Sequence, residues 1–121
     1  MDLSNNPMPT QTEKRPLLTD ILPEFATELR NLLTEQEEPE LAAQLPTLAI
    51  YDRCRCKDDF CCGTFYTQRK PEGGYGPGHR SVRLIPEEGT LLILDVVAGE
   101  IMCVEVLDRA DVRRKLVTVL P

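Results

Sequence analysis

With 121 residues and a net charge of -6, the chain has room for one core, which excludes a two-lobed enzyme with a cleft between domains. The absence of Trp and an aromatic share of 5% make that core aliphatic and leave little for ligand stacking. Residues 1–50 carry three basic against nine acidic side chains while residues 51–121 carry eleven of each, so phosphate backbones are repelled and no nucleic-acid partner is predicted.

Residues 1–16, rich in Pro, Asn, Thr and Ser, bury too little to offset their ordering entropy and are predicted to form a disordered arm. Residues 17–121 are predicted to be a single α+β domain. Asp20 is expected to cap one long N-terminal helix whose first turn contains Pro23 and whose apolar side is Leu22, Phe25, Leu29, Leu32 and Leu33. Glu24, Glu28 and Glu35 fall on its wet side. A short helical piece follows over Pro39 to Leu45, ended by Pro46.

Beyond Pro46 the period changes. Thr47 to Cys56 reads as a strand, returned by a Lys57-Asp58-Asp59-Phe60 turn into Cys61 to Gln68. Lys70 to His79 has the Gly and Pro content of a flexible loop, and Arg80 to Ile85 alternates again. Thr90 to Val97 and Ile101 to Leu107, joined at Ala98-Gly99, form the clearest hairpin. Counting outward from that turn, Val96 faces Ile101, Leu94 faces Cys103 and Ile93 faces Val104, which puts Asp95 and Glu105 on opposite faces and makes them poor acid/base partners. Asp108 is expected to start one or two helical turns through Lys115, with Leu116 to Leu120 an apolar tail or edge strand. The sum is an antiparallel sheet of about four strands with the N-terminal helix packed on it.

Five Cys cannot all pair within one chain, and Met1 to Pro7 has no basic segment leading into an apolar one. Reduced thiols, a cytoplasmic location and no membrane segment are therefore predicted. Cys54, Cys56, Cys61 and Cys62 crowd one hairpin. Pairing about Asp58-Asp59 places Cys54, Cys56 and Cys61 on one face, and His79 from the Gly-rich loop would complete a Cys₃His zinc site. C-x-C and Cys-Cys spacings chelate less comfortably than C-x₂₋₄-C, and two other uses stand beside zinc: redox exchange favoured by Arg53, Arg55 and Lys57, and plain packing as a buried small-residue face. Cys103 reads as a core thiol. A single His gives no basis for a nucleophile-base arrangement, and the Gly-rich loop lacks the Gly-Lys-Ser/Thr ending of a phosphate loop, so the chain leans away from catalysis.

Cys54 to Phe65 and Gly89 to Asp108 together resemble small bacterial proteins in which a Cys-rich hairpin precedes an aliphatic hairpin ending in a Val-Glu-Val-like strand. The resemblance implies a bacterial origin and a β-rich core and assigns a role to no residue. The functional expectation is a non-catalytic binding or regulatory domain, with a protein partner or a homodimer and no cofactor. Its rival is a zinc-stabilised or thiol-redox protein using Cys54, Cys56, Cys61 and Cys62, with His79.

Overall fold

The computed structural model describes residues 15–57, 63–69, 71–86 and 91–121. It is α+β, with a five-stranded antiparallel sheet and several helices. The strands β1 (Asp52–Arg53), β2 (Phe65–Tyr66), β3 (His79–Leu84), β4 (Leu92–Val97) and β5 (Glu100–Val106) lie in the order β1-β2-β5-β4-β3, every pair antiparallel. The pairs β1–β2, β3–β4 and β4–β5 join strands consecutive in the chain, as short connections favour, whereas β2 reaches β5 across the two strands that lie between them in the sequence.

The single long N-terminal helix is not what forms. Helix α1 (Leu18–Ile21) stops at Leu22, and α2 (Pro23–Glu35) starts afresh with Pro23 in its first position. The cause is local: a residue that precedes proline is pushed out of the α region, and Leu22 adopts φ -131°, ψ 64°. Asp20, expected to cap, lies inside α1 instead. After α2 the chain turns at Glu37, φ 60°. There the Glu38 amide donates to the Leu33 carbonyl (2.9 Å) and the Glu37 amide to the Thr34 carbonyl (3.1 Å), the pairing that ends a helix with a left-handed residue. Helix α3 (Pro39–Ala42) and a single turn over Leu45–Thr47 follow.

The end of the chain also departs from expectation. Helix α4 (Ala110–Val119) runs through the stretch expected to be a tail or strand. Val112 and Leu116, four residues apart, bury one side of it, and Asp108, at φ 55°, makes the bend from β5 rather than the cap. Residues 15 and 16, assigned by composition to the arm, are tied down: the Arg15 guanidinium donates to the Tyr51 carbonyl (3.0 Å) and covers the Tyr51 ring, while the Ile50 amide donates to the Pro16 carbonyl (2.8 Å). The rest of the expected arm, residues 1–14, lies outside the described residues.

One face of the sheet builds the core. Phe65, Val82, Leu84, Leu92, Leu94, Val96, Ile101, Val104 and Val106 point to it and join Leu18, Phe25, Leu29, Leu33, Leu41, Val112 and Leu116 from the helices in one buried cluster. Phe25 meets Phe65 edge-on, with ring centroids 6.2 Å apart, a geometry that adds to simple burial. Each fully buried Leu or Val contributes about 1.5–3 kcal/mol. Gly63 is needed where β2 approaches β5, since a Cβ there would stand 3.1 Å from the Val106 carbonyl oxygen.

At the β3 edge the helical layer reaches over. The Gln36 amide donates to the Arg83 carbonyl (3.3 Å), and Arg80 holds Glu38 through two bonds of 2.9 and 3.0 Å. Among the described residues no helix is long and apolar enough to cross a membrane.

Candidate functional site

The β4–β5 pairing decides what the other face of the sheet carries. Val97 pairs with Glu100 and Val96 with Ile101, but the next pair is Asp95 with Cys103, followed by Leu94 with Val104 and Ile93 with Glu105. Met102 is the extra residue of a β-bulge. The bulge corrects the register counted from the turn: Leu94 does not face Cys103, and Asp95 and Glu105 are not on opposite faces. They share one.

Thr67 holds the bulge in place. Its hydroxyl donates to the Ile101 carbonyl (2.7 Å) and its amide to the Met102 carbonyl (2.9 Å), and the side chain is buried. From the other side the Gln44 side chain accepts from the Ile101 amide (3.0 Å) and donates to the Gly99 carbonyl (2.7 Å). Backbone groups that a regular ladder would pair are thus satisfied by two side chains.

On the shared face, Asp95 is the buried centre, its side chain 9% exposed. His79 Nε2 lies 2.9 Å from Asp95 Oδ1, and the Ser81 hydroxyl is 3.5 Å from the same oxygen. A hydrogen bond shared with Asp95, then burial, then the Asp95 charge push the Glu105 carboxyl up to about 7, against a smaller opposing effect of His79. Beside the Asp95 carboxylate, Glu105 therefore keeps its proton to a higher pH than a free carboxyl does. Tyr75, from the loop before β3, covers this cluster: its ring centroid is 4.9 Å from that of His79. Burial, followed by Cys103, Asp95, Tyr66 and Glu105, raises its phenol strongly. Tyr66 is raised by burial and by its neighbours Cys103, Cys54, Cys56 and Glu105, so it stands between this cluster and the cysteine-bearing edge.

The arrangement can hold and share protons. Ser81 reaches Asp95 and not His79, so the hydroxyl has no imidazole base, which is the contact that activates a serine.

Of the residues singled out for zinc, the described ones lie at opposite edges of the sheet. His79 opens β3 at one edge of the sheet, whereas Cys54 and Cys56 adjoin β1 at the other, with β2, β5 and β4 between. His79 is not a mobile-loop residue but a strand residue engaged by Asp95. Cys54 is half-buried and Cys56 exposed, which overturns a fully buried small-residue face for these two. Cys61 and Cys62, and the turn expected at Asp58-Asp59, lie outside the described residues. Among the described residues no group of three His, Cys, Asp or Glu is placed to hold a metal ion. Cys103 is buried, but on the face that carries Asp95 and Glu105 and not in the cluster formed with the helices.

The basic residues interleaved with the thiols have other work. Arg53 donates to the Leu120 carbonyl and, at 3.3 Å, to the Cys54 carbonyl; Arg55 donates to Asp52 (2.9 Å) and to the Pro121 carbonyl (3.1 Å). Burial opposes ionisation of Asp52, but hydrogen bonds from Arg55 and the Arg53 amide, with the charges of both, outweigh it and hold the carboxyl below its usual range. These contacts fasten α4 to the β1–β2 edge. A separate hollow of about 240 Å³, touching Thr19, Ala26, Arg30 and Leu45, is smaller than the roughly 300–1,000 Å³ of most ligand pockets.

The sequence pointed to Asp95 and Glu105 only as interruptions of apolar strands, and their meeting was missed because a one-residue slip exchanges the faces. Compared with known proteins, the chain matches no family model, and no curated protein or solved structure is significantly similar to it.

Proposed function

We propose that the protein is a non-catalytic binding or regulatory domain that docks a basic protein partner on the acidic surface of α1, α2 and α3. The observation that carries this reading is charge. Between residues 18 and 47 the exposed side chains include Asp20, Glu24, Glu35, Glu37 and Glu40 against one cation, Arg30. Glu24, Glu28 and Glu35, spaced four and seven residues apart, fall on one side of α2, and among the described residues only Glu28 of the three is drawn off, by Arg109 at 3.0 Å. Such a surface steers a basic partner and repels an acidic one. The inverted order of Ser81, Asp95 and His79 supports the non-catalytic half of the reading.

Affinity capture with the full chain, at low and at high salt, tests it. Basic proteins that bind at low salt, are released by salt, and are lost when Glu24, Glu35 and Glu37 are all changed to Lys are the expected result. Unchanged binding to the charge-reversed variant overturns the reading, as does self-association of the purified chain through this surface in sedimentation.

A second reading is supported by the accessibility of Cys54 and Cys56: a zinc-stabilised or thiol-redox hairpin that also uses Cys61 and Cys62. Native mass spectrometry without chelator tests it. One zinc per chain, lost on acid denaturation together with a drop in stability, is the expected outcome; an apo mass with every thiol open to alkylation rejects zinc.

A further inference from the structure

The segment Pro71 to Gly78 is attached to the sheet in an unusual way. Among the described residues its carbonyls accept only long backbone bonds at its end, from the His79 amide to Gly76 (3.4 Å) and from the Ala98 amide to Gly78 (3.5 Å), lengths at which a hydrogen bond is weak. Glu72, Gly73, Gly74, Gly76, Pro77 and Gly78 are exposed, and only Pro71 and Tyr75 are partly buried. Gly73, Gly76 and Gly78 all have φ between 76° and 86°, a conformation that costs glycine little and lets the segment swing. Tyr75 is therefore the main fastening, and its seat is the His79–Asp95–Glu105 cluster.

We propose that Pro71–Gly78 is a proton-operated strap: Tyr75 stays seated while Glu105, beside Asp95, keeps its proton, and is released when that proton leaves. The groups facing the pair are His79 and Ser81 from β3, Cys103 from β5, Tyr66 from β2 and Tyr75 itself; Arg83 lies further along the same face of β3, and Glu72 is on the strap. His79, when protonated, offsets one carboxylate. Of the others, only Arg83 brings a positive charge, and it is exposed. Once both carboxylates ionise beneath a phenol ring, water relieves their repulsion better than the ring does, so hydration of the pair and lifting of Tyr75 are one event. The folded, seated state binds the extra proton, so seating is complete in acid and weakens as pH rises through about 7. The strap stands independently of what the helical layer binds.

Nuclear magnetic resonance of the full chain tests the proposal through the contact between the Tyr75 and His79 rings and the exchange of the His79 and Ala98 amides. In the wild type, the open fraction should rise about tenfold between about pH 6 and pH 8, with β4–β5 amides unchanged. Glu105→Gln, which keeps a neutral hydrogen-bonding group, should hold the strap closed across the range, and Asp95→Asn should move the step to lower pH. A wild type with no step overturns the proposal. So does a Glu105→Gln variant that keeps the wild-type step, or a step that β4–β5 amides follow, since opening is then global.

Discussion

The two faces of the β4–β5 hairpin are made by alternate residues of the same two strands, yet they do different things. One carries Leu92, Leu94, Val96, Ile101, Val104 and Val106 into a continuous core with the helices. The other carries Asp95, Cys103 and Glu105, with Tyr66 beside them and Tyr75 above. The difference is produced by Met102: with the extra residue in place, Ile101 and Val104 both face the helices although three positions separate them, and Glu105 joins Asp95. A bulge here is a device for collecting acids on one face while keeping the opposite face free of charge.

The largest expected effect separates the two faces. Leu94→Ala removes a fully buried side chain and should cost about 3 kcal/mol of unfolding free energy, whereas Cys103→Ala, on the other face of the neighbouring strand, should cost about 1 kcal/mol. Denaturant melts of both variants measure the contrast, and equal losses would mean that the polar face is packed as tightly as the core. Next comes the lock on the bulge. Thr67→Val keeps the shape but strands the Ile101 carbonyl, and a loss of about 2 kcal/mol is expected, with shifted cross-strand contacts around Met102 in nuclear magnetic resonance.

The third prediction concerns pH. The Glu105 carboxyl is raised in the folded state, so it favours folding below the ordinary carboxylate range, and that contribution is lost as pH rises to about 7. Partial exposure reduces the effect to about 1 kcal/mol. Chemical denaturation across that range should show the decline in the wild type and none in Glu105→Gln. The smallest effect is at the turn. Ala98 has φ 52° and Gly99 φ 83°, the paired positive angles of a tight hairpin turn, so Ala98→Asn should stabilise by about 0.5–1 kcal/mol, read as a higher melting temperature.

How legible these regions were in the sequence follows from the forces involved. The hairpin itself was plain because two aliphatic runs flank Ala98-Gly99. The bulge was hidden because Met102 is apolar like its neighbours, although the spacing of Ile101, Val104 and Val106 carries the trace of it. The break at Leu22 was written in Pro23, whose effect reaches back one residue. At the end of the chain, β-branched Val117, Thr118 and Val119 mimicked a strand, and burial of Val112 and Leu116 overrode them. Of the candidate site, the aspartate that engages His79 could not be read locally, because it comes from a strand that only tertiary pairing brings beside it.

The way the helical layer reaches over β3 bears on polymerisation. β3 has six residues while β1, at the opposite edge, has two, so β3 is the edge long enough to seed addition of a foreign strand. An incoming chain would find the Arg83 carbonyl already occupied by Gln36 and the Arg80 side chain clamped by Glu38. Fibre-like growth must first dislodge both, so the molecule resists templated stacking with the same short segment that joins α2 to α3.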